Sequence, residues 1–153
     1  MTIPAFAVST AALDSEGWVP HADETFIAGL GRVYERRRDG LLEIGLQTGD
    51  AHRNRSGVVH GGVVMALLDR VMGFNCREAA GGIRMATASL TVNFTHPISI
   101  GDFIALACKL RRVGRNAVFA DGEAWVGVHI VATATGVWMR VGRPAPSSTS
   151  REG

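Results

Sequence analysis

Two short stretches of the sequence could do chemistry. The first reads Asn54-Arg-Ser-Gly57-Val-Val-His60-Gly61-Gly62, and the second is Asp69 within Leu-Leu-Asp-Arg-Val-Met. His60-Gly61-Gly62 falls where a loop turns into a helix. Backbone N–H groups at a helix start lack intrahelical partners, and the helix dipole adds positive potential there. Such a place can hold an anion or a developing oxyanion, and glycine lets a substrate carbonyl come close to the backbone. The plainer alternative is that the two glycines only permit a tight turn. Asp69 interrupts an apolar helical run, where an unpartnered carboxylate is costly to bury. Arg70 is adjacent in sequence and faces elsewhere. Asp69 is therefore either half of an ion pair with another element, or a nucleophile or general base that activates water.

The surrounding pattern says what must position these groups. Residues 32–38 and 41–48 flank Asp39-Gly40, a favoured tight turn, and read as a hairpin. Residues 60–82 read as one long helix stopped by Gly81 and Gly82, apolar nearly all round and so expected to be buried. Four strand-like runs follow, at 85–94, 102–113, 117–127 and 129–141, with a break at Pro97 and a turn at 114–116. The order is two strands, one helix, four strands. It fits an α+β domain with an antiparallel sheet and one helix lying on it. One helix cannot cover both sheet faces and protect the edges, so association with a second copy is expected.

At 153 residues the chain suits one domain, and 46% hydrophobic with 20% charged residues is ordinary globular composition. We divide it into an N-terminal segment, 1–27, with room for a short helix, a domain over 28–143, and a Pro- and Ser-rich tail, 144–153, expected to be disordered. A net charge of +2 gives no argument for nucleic acid, and no apolar run approaches membrane-spanning length. Cys76 and Cys108 have no CxxC partners and read as reduced thiols. With no basic, apolar leader, the chain reads as soluble and cytoplasmic. His21, His52, His60, His96 and His129 show no metal spacing, and G-x-S-x-G and phosphate-loop motifs are absent. Trp18, Trp125 and Trp138 read as core or interface residues.

The spacing of Asn54, His60, Gly61, Asp69 and Thr87, together with Asn-Phe-Thr-His-Pro ending at Pro97, resembles the PaaI-type acyl-CoA thioesterases of the hotdog superfamily. The resemblance covers about residues 30–142. It implies a hotdog fold, in which a curved antiparallel sheet wraps one long central helix. It also implies hydrolysis of an acyl-CoA thioester, with coenzyme A as part of the substrate and no metal or other cofactor. Gly61 would donate its N–H to the thioester oxygen. Asn54 would orient substrate or water, His60 would shape the loop, and Asp69 would be the base or nucleophile. Thr87 stands where some relatives have a serine that positions water. Phe94, Thr95, His96 and Pro97, and the turn Arg112, Val113, Gly114, Arg115, Asn116 and Ala117, would touch coenzyme A. For Arg111, Arg112 and Arg115 the alternative is a solvated hairpin end, and Arg36-Arg37-Arg38 reads as plain surface.

Two other readings of the same pattern are a hydratase or dehydratase acting on acyl thioesters and a non-catalytic acyl-CoA-binding module. A purely structural oligomer would leave Asp69 unexplained. Met65, Met72 and Phe74 either line an acyl pocket or are ordinary core. Gly61 and Asp69 lie eight residues apart on one helix, about 12 Å along its axis. They cannot easily serve one carbonyl, so the expected enzyme is a homodimer or homotetramer whose sites are shared between subunits.

Overall fold

The computed structural model describes residues 9–142. The elements follow in the order α1 (Thr10–Ser15), β1 (Val19–Pro20), β2 (Val33–Arg38), β3 (Leu41–Gln47), α2 (Gly61–Ala79), β4 (Met85–Phe94), β5 (Phe103–Val113), β6 (Ala117–Val126) and β7 (His129–Arg140). Short 3-10 turns occupy Phe26–Leu30 and Asp50–His52. All strands pair antiparallel in one sheet of order β1-β2-β3-β5-β6-β7-β4, and α2 packs on one face. This is the hotdog architecture. The expected tail at 144–153 lies outside the described residues, as do residues 1–8.

Local chemistry explains the main elements. Asp39 and Gly40 both take positive φ, 51° and 81°, which turns β2 sharply into β3. His60 caps α2 by accepting the Gly62 N–H on its ring, and the helix stops at Ala79 before Gly81 and Gly82, at φ 77° and 79°. Strand β6 alternates cleanly, with Val118, Ala120, Gly122, Ala124 and Val126 buried. Gly122 lets the helix settle onto the sheet, since a Cβ there would lie 2.6 Å from Met72 Sδ.

Three expectations are corrected. Helix α2 is not buried all round within one chain. Val64, Leu67, Leu68, Val71, Met72, Asn75 and Cys76 form its buried face, while Met65 is exposed. Gly62 and Met65 near its start and Arg77 and Glu78 near its end are exposed in one chain, so composition overstated burial. The pair of strands before the helix is preceded by β1, too short to leave a periodic signal. Arg36 is not plain surface. Its guanidinium lies 4.2 Å from the Trp18 ring centroid and bonds Glu43 at 2.6 Å. Trp18 is buried beside Leu13 and Phe103 in a second, smaller core on the sheet face opposite α2. The N-terminal segment thereby covers part of that face.

Asn75 does work that no apolar residue could. β3 meets β5 only from Ile44 onward, which leaves Leu42 beyond the reach of a strand neighbour on that side. The Asn75 amide takes that place: it accepts from Leu42 N at 2.9 Å and donates to Leu42 O at 2.9 Å, and it also donates to Val71 O. Asn75→Ala would strand a buried donor and a buried acceptor. The expected loss is about 3 kcal/mol, read as a lower denaturant midpoint at unchanged slope. A midpoint within error of wild type would overturn this role.

Candidate active site

The loop before α2 is held from several directions. His52 is buried, accepts the Gly49 N–H on Nδ1 at 2.9 Å, and sits 2.7 Å from Leu30 O through Nε2. Its carbonyl accepts from His60 N at 2.8 Å. Asn54 Oδ1 accepts from Ser56 N and Val58 N, so the carbonyl end of this side chain closes the loop. Its Nδ2 end has no hydrogen bond among the described residues and can serve a bound molecule.

The result at the helix start is a single open donor. The His60 ring occupies the Gly62 N–H at 2.9 Å, and Val63 N bonds back to His60 O. Gly61 N–H has no partner among the described residues. It opens on a cavity of about 290 Å³ lined by Val59, Gly61, Val64, Phe94, Thr95, His96, Pro97 and Ile98. A Cβ at position 61 would meet the Phe94 ring at 3.1 Å, so glycine is what lets the ring and the backbone share this space. Gly61 and the segment 94–97, expected from the sequence to act together, are therefore together in space.

Asp69 lies in a different cavity, about 250 Å³, lined by Asp69, Arg70, Gly73, Phe74, Arg77, Met85, Thr87 and Trp138. Thr87 Oγ1 donates to Asp69 Oδ1 at 2.7 Å. The expectation of a buried Asp69 is corrected: in one chain the residue is only half-buried, because the helix face it occupies is open. Arg70 does not bond Asp69: it lines the same cavity, and its guanidinium pairs with Asp23 at 3.2 Å.

Thr87 reaches Asp69 through a break in the strand. Leu90, Val92 and Phe94 pair with Gly136, Ala134 and Ala132 and point toward the helix side. Counting back in twos would turn Thr87 to the opposite face. The register shifts between Thr87 and Ser89, leaving Ala88 as an extra residue, and Thr87 comes opposite the buried Trp138. The bulge re-aims the hydroxyl at the carboxylate. Simple alternation in the sequence could not reveal it.

The two expected coenzyme A segments are not brought together in one chain. Phe94 pairs with Ala132, whereas Ala117 pairs with Met139. Seven residues of strand separate these positions, about 23 Å. The turn from Arg112 to Ala117 stands at the same sheet end as Met85, with Asn116 O accepting from Arg140 N. Arg111 is paired with Asp121. One chain thus keeps two groups of residues apart. His60, Gly61 and 94–97 lie at one cavity, beside the loop that Asn54 closes; Asp69 and Thr87 lie at the other, toward the end of the sheet that carries the turn at 112–117.

Other nucleophiles drop out. Cys76 and Cys108 are buried free thiols, pushed up to about 12 by burial, and stay protonated at neutral pH. Among the described residues no group of three or more His, Cys, Asp or Glu could hold a metal ion, and no helix is long and apolar enough to cross a membrane.

Known proteins resemble this chain in sequence and fold. A family model described as the thioesterase superfamily matches residues 56–132. An uncharacterized acyl-CoA thioester hydrolase of Haemophilus influenzae is 29% identical over 91 residues, which is 60% of this chain and 59% of that protein. The chain therefore spans about three fifths of that relative's length. The E. coli PaaI protein from the phenylacetic acid degradation operon superposes with a TM-score of 0.69 at 20% identity, over 75% of this chain and 83% of that one. The BH2602 protein from Bacillus halodurans, solved with coenzyme A, gives a TM-score of 0.71 at 24% identity, over 81% and 83%.

Proposed function

The chain belongs to the thioesterase superfamily, and from that premise we propose that it hydrolyses an acyl-CoA thioester to a carboxylic acid and free coenzyme A. The observation that carries this reading is the open Gly61 N–H at the start of α2, facing the cavity walled by Phe94–Pro97. A thioester oxygen placed there receives a hydrogen bond that strengthens as negative charge develops on it. Asp69 supplies the base or nucleophile. As a base it takes a proton from water while the hydroxide oxygen adds to the carbonyl carbon. As a nucleophile its oxygen adds first, and water then splits the acyl anhydride. In both routes the C–S bond breaks and the thiolate leaves, gaining a proton as free coenzyme A.

The site is completed by a second copy. If two α2 helices run antiparallel across a two-fold axis, Asp69 and Thr87 of one copy come beside Gly61 and Asn54 of the other. The same operation brings the turn at 112–117 of one copy toward 94–97 of the other. Strand β4 ends the sheet order, and most of its residues are exposed in one chain, which supports an edge-to-edge pairing there. The protein then works as a homodimer or a dimer of dimers.

The purified protein should release free thiol from at least one acyl-CoA, at a rate that a chelator leaves unchanged. Hydration of an unsaturated acyl-CoA without thiol release would favour the hydratase reading instead. Binding without turnover would favour a sensing module.

A further inference from the structure

We propose that the acyl group this enzyme accepts ends in a carboxylate, received by Arg70 and Arg77 in the cavity beside Asp69. The inference rests on the hydrolase reading above and names its substrate class. Arg70, Phe74 and Arg77 stand at i, i+4 and i+7 on α2 and so share one face of the helix. All three line the cavity that holds Asp69, with Gly73 and Trp138 behind them. A Cβ on Gly73 would lie 2.9 Å from Trp138 Nε1, so glycine is what lets the indole pack against the helix as one wall of the cavity.

Arg77 is the guanidinium in this cavity that no carboxylate engages among the described residues. Two guanidiniums and one carboxylate line it. Arg70 gives one nitrogen to Asp23 at 3.2 Å, while its Nε is buried with no hydrogen-bond partner among the described residues. Arg77 is exposed, and its Nε reaches only a backbone carbonyl, Gly82 O, at 3.3 Å. Neither guanidinium bonds Asp69. By contrast, Arg37, whose guanidinium lies 5.4 Å from the Phe74 ring centroid, is fully engaged by both oxygens of Glu78.

Asp23 is a positioning residue for Arg70. Thr25 donates to it through its hydroxyl and its N–H, which holds the Asp23 carboxyl below the usual carboxylate range, with the Arg70 charge adding to the effect. Asp23 comes from the N-terminal segment, ahead of the region the family model matches. Arg77 stands eight residues beyond Asp69, about 12 Å along the helix. Its long side chain can fold back toward the reacting carbonyl. The span left suits a short or aromatic acyl group, and its far end carries the complementary charge.

The test compares matched pairs of coenzyme A thioesters that differ only in a terminal carboxylate: glutaryl against valeryl, suberyl against octanoyl, and terephthaloyl against benzoyl. Wild-type kcat/KM should favour the acid member by about tenfold in at least one pair, the gain expected of a charged hydrogen bond. Arg77→Gln should collapse that ratio, and Arg77→Lys should keep part of it, since the charge remains while the guanidinium fork is lost. Asp23→Asn should weaken the preference chiefly through KM. Hydrolysis of neutral members at equal or higher efficiency in every pair overturns the proposal and leaves the hydrolase reading standing. A preference that survives both Arg70→Gln and Arg77→Gln overturns it as well. No thiol release from any of the six overturns the proposal too, and only its absence across a wider acyl-CoA panel overturns the hydrolase reading with it.

Discussion

Asp69→Ala is expected to lower kcat by roughly a hundredfold or more, the range for removing a positioned base or nucleophile, with KM little changed. The group acts on the transition state and not on the bound substrate, so the loss falls on kcat. The variant should fold normally. Asp69 is only half-buried in one chain, and among the described residues its one hydrogen bond comes from the Thr87 hydroxyl. Removing the carboxylate leaves that hydroxyl beside an open cavity where water can replace it. Steady-state kinetics with circular dichroism as a folding control would decide the matter. Near-normal kcat in a folded variant would remove Asp69 from the mechanism.

The second large effect is recovery. Asp69→Ala and Asn54→Ala should each be inactive as pure proteins. Asn54→Ala removes the acceptor that Ser56 N and Val58 N share, so it loosens the loop that presents Gly61. A mixed dimer of the two variants assembles one site from the intact loop of one copy and the intact Asp69 of the other. Its second site carries both lesions. Isolated with two affinity tags, the mixed dimer should regain about half of wild-type activity, the share of one intact site in two. Verified mixed dimers that stay inactive would mean that each site is built within one chain. The separate cavities of Gly61 and Asp69 argue against that outcome.

Much of this architecture is legible in the sequence because its signals are local. Asp39-Gly40 declares its turn, Gly81-Gly82 its helix stop, and the alternation in β6 its buried face. The features that escaped are those in which distant residues decide the outcome. Arg36 looks like one of three surface arginines until Trp18 and Glu43 arrive from other elements. Asn75 looks like a polar flaw in an apolar helix until Leu42 is found without a strand neighbour. Thr87 turns toward Asp69 only because Ala88 is bulged against β7. The two cavities show the same division. Each is traceable to a contiguous stretch plus one long-range contact, but their separation is a property of helix length and strand register.

The sheet order also sets when the site can first exist. Strand β4 is made before β5, β6 and β7, yet within the sheet it pairs only with β7. During synthesis, Thr87 therefore waits until the chain has run through Arg140 before its strand has a place to dock. The β5–β6–β7 meander can form through neighbouring hairpins, whereas closing β4 onto β7 spans the whole of that meander. The contact that aims Thr87 at Asp69 belongs to this late closure. A nascent chain released before β7 is made would leave β4 without a strand to pair with, and Thr87 would not be aimed at Asp69.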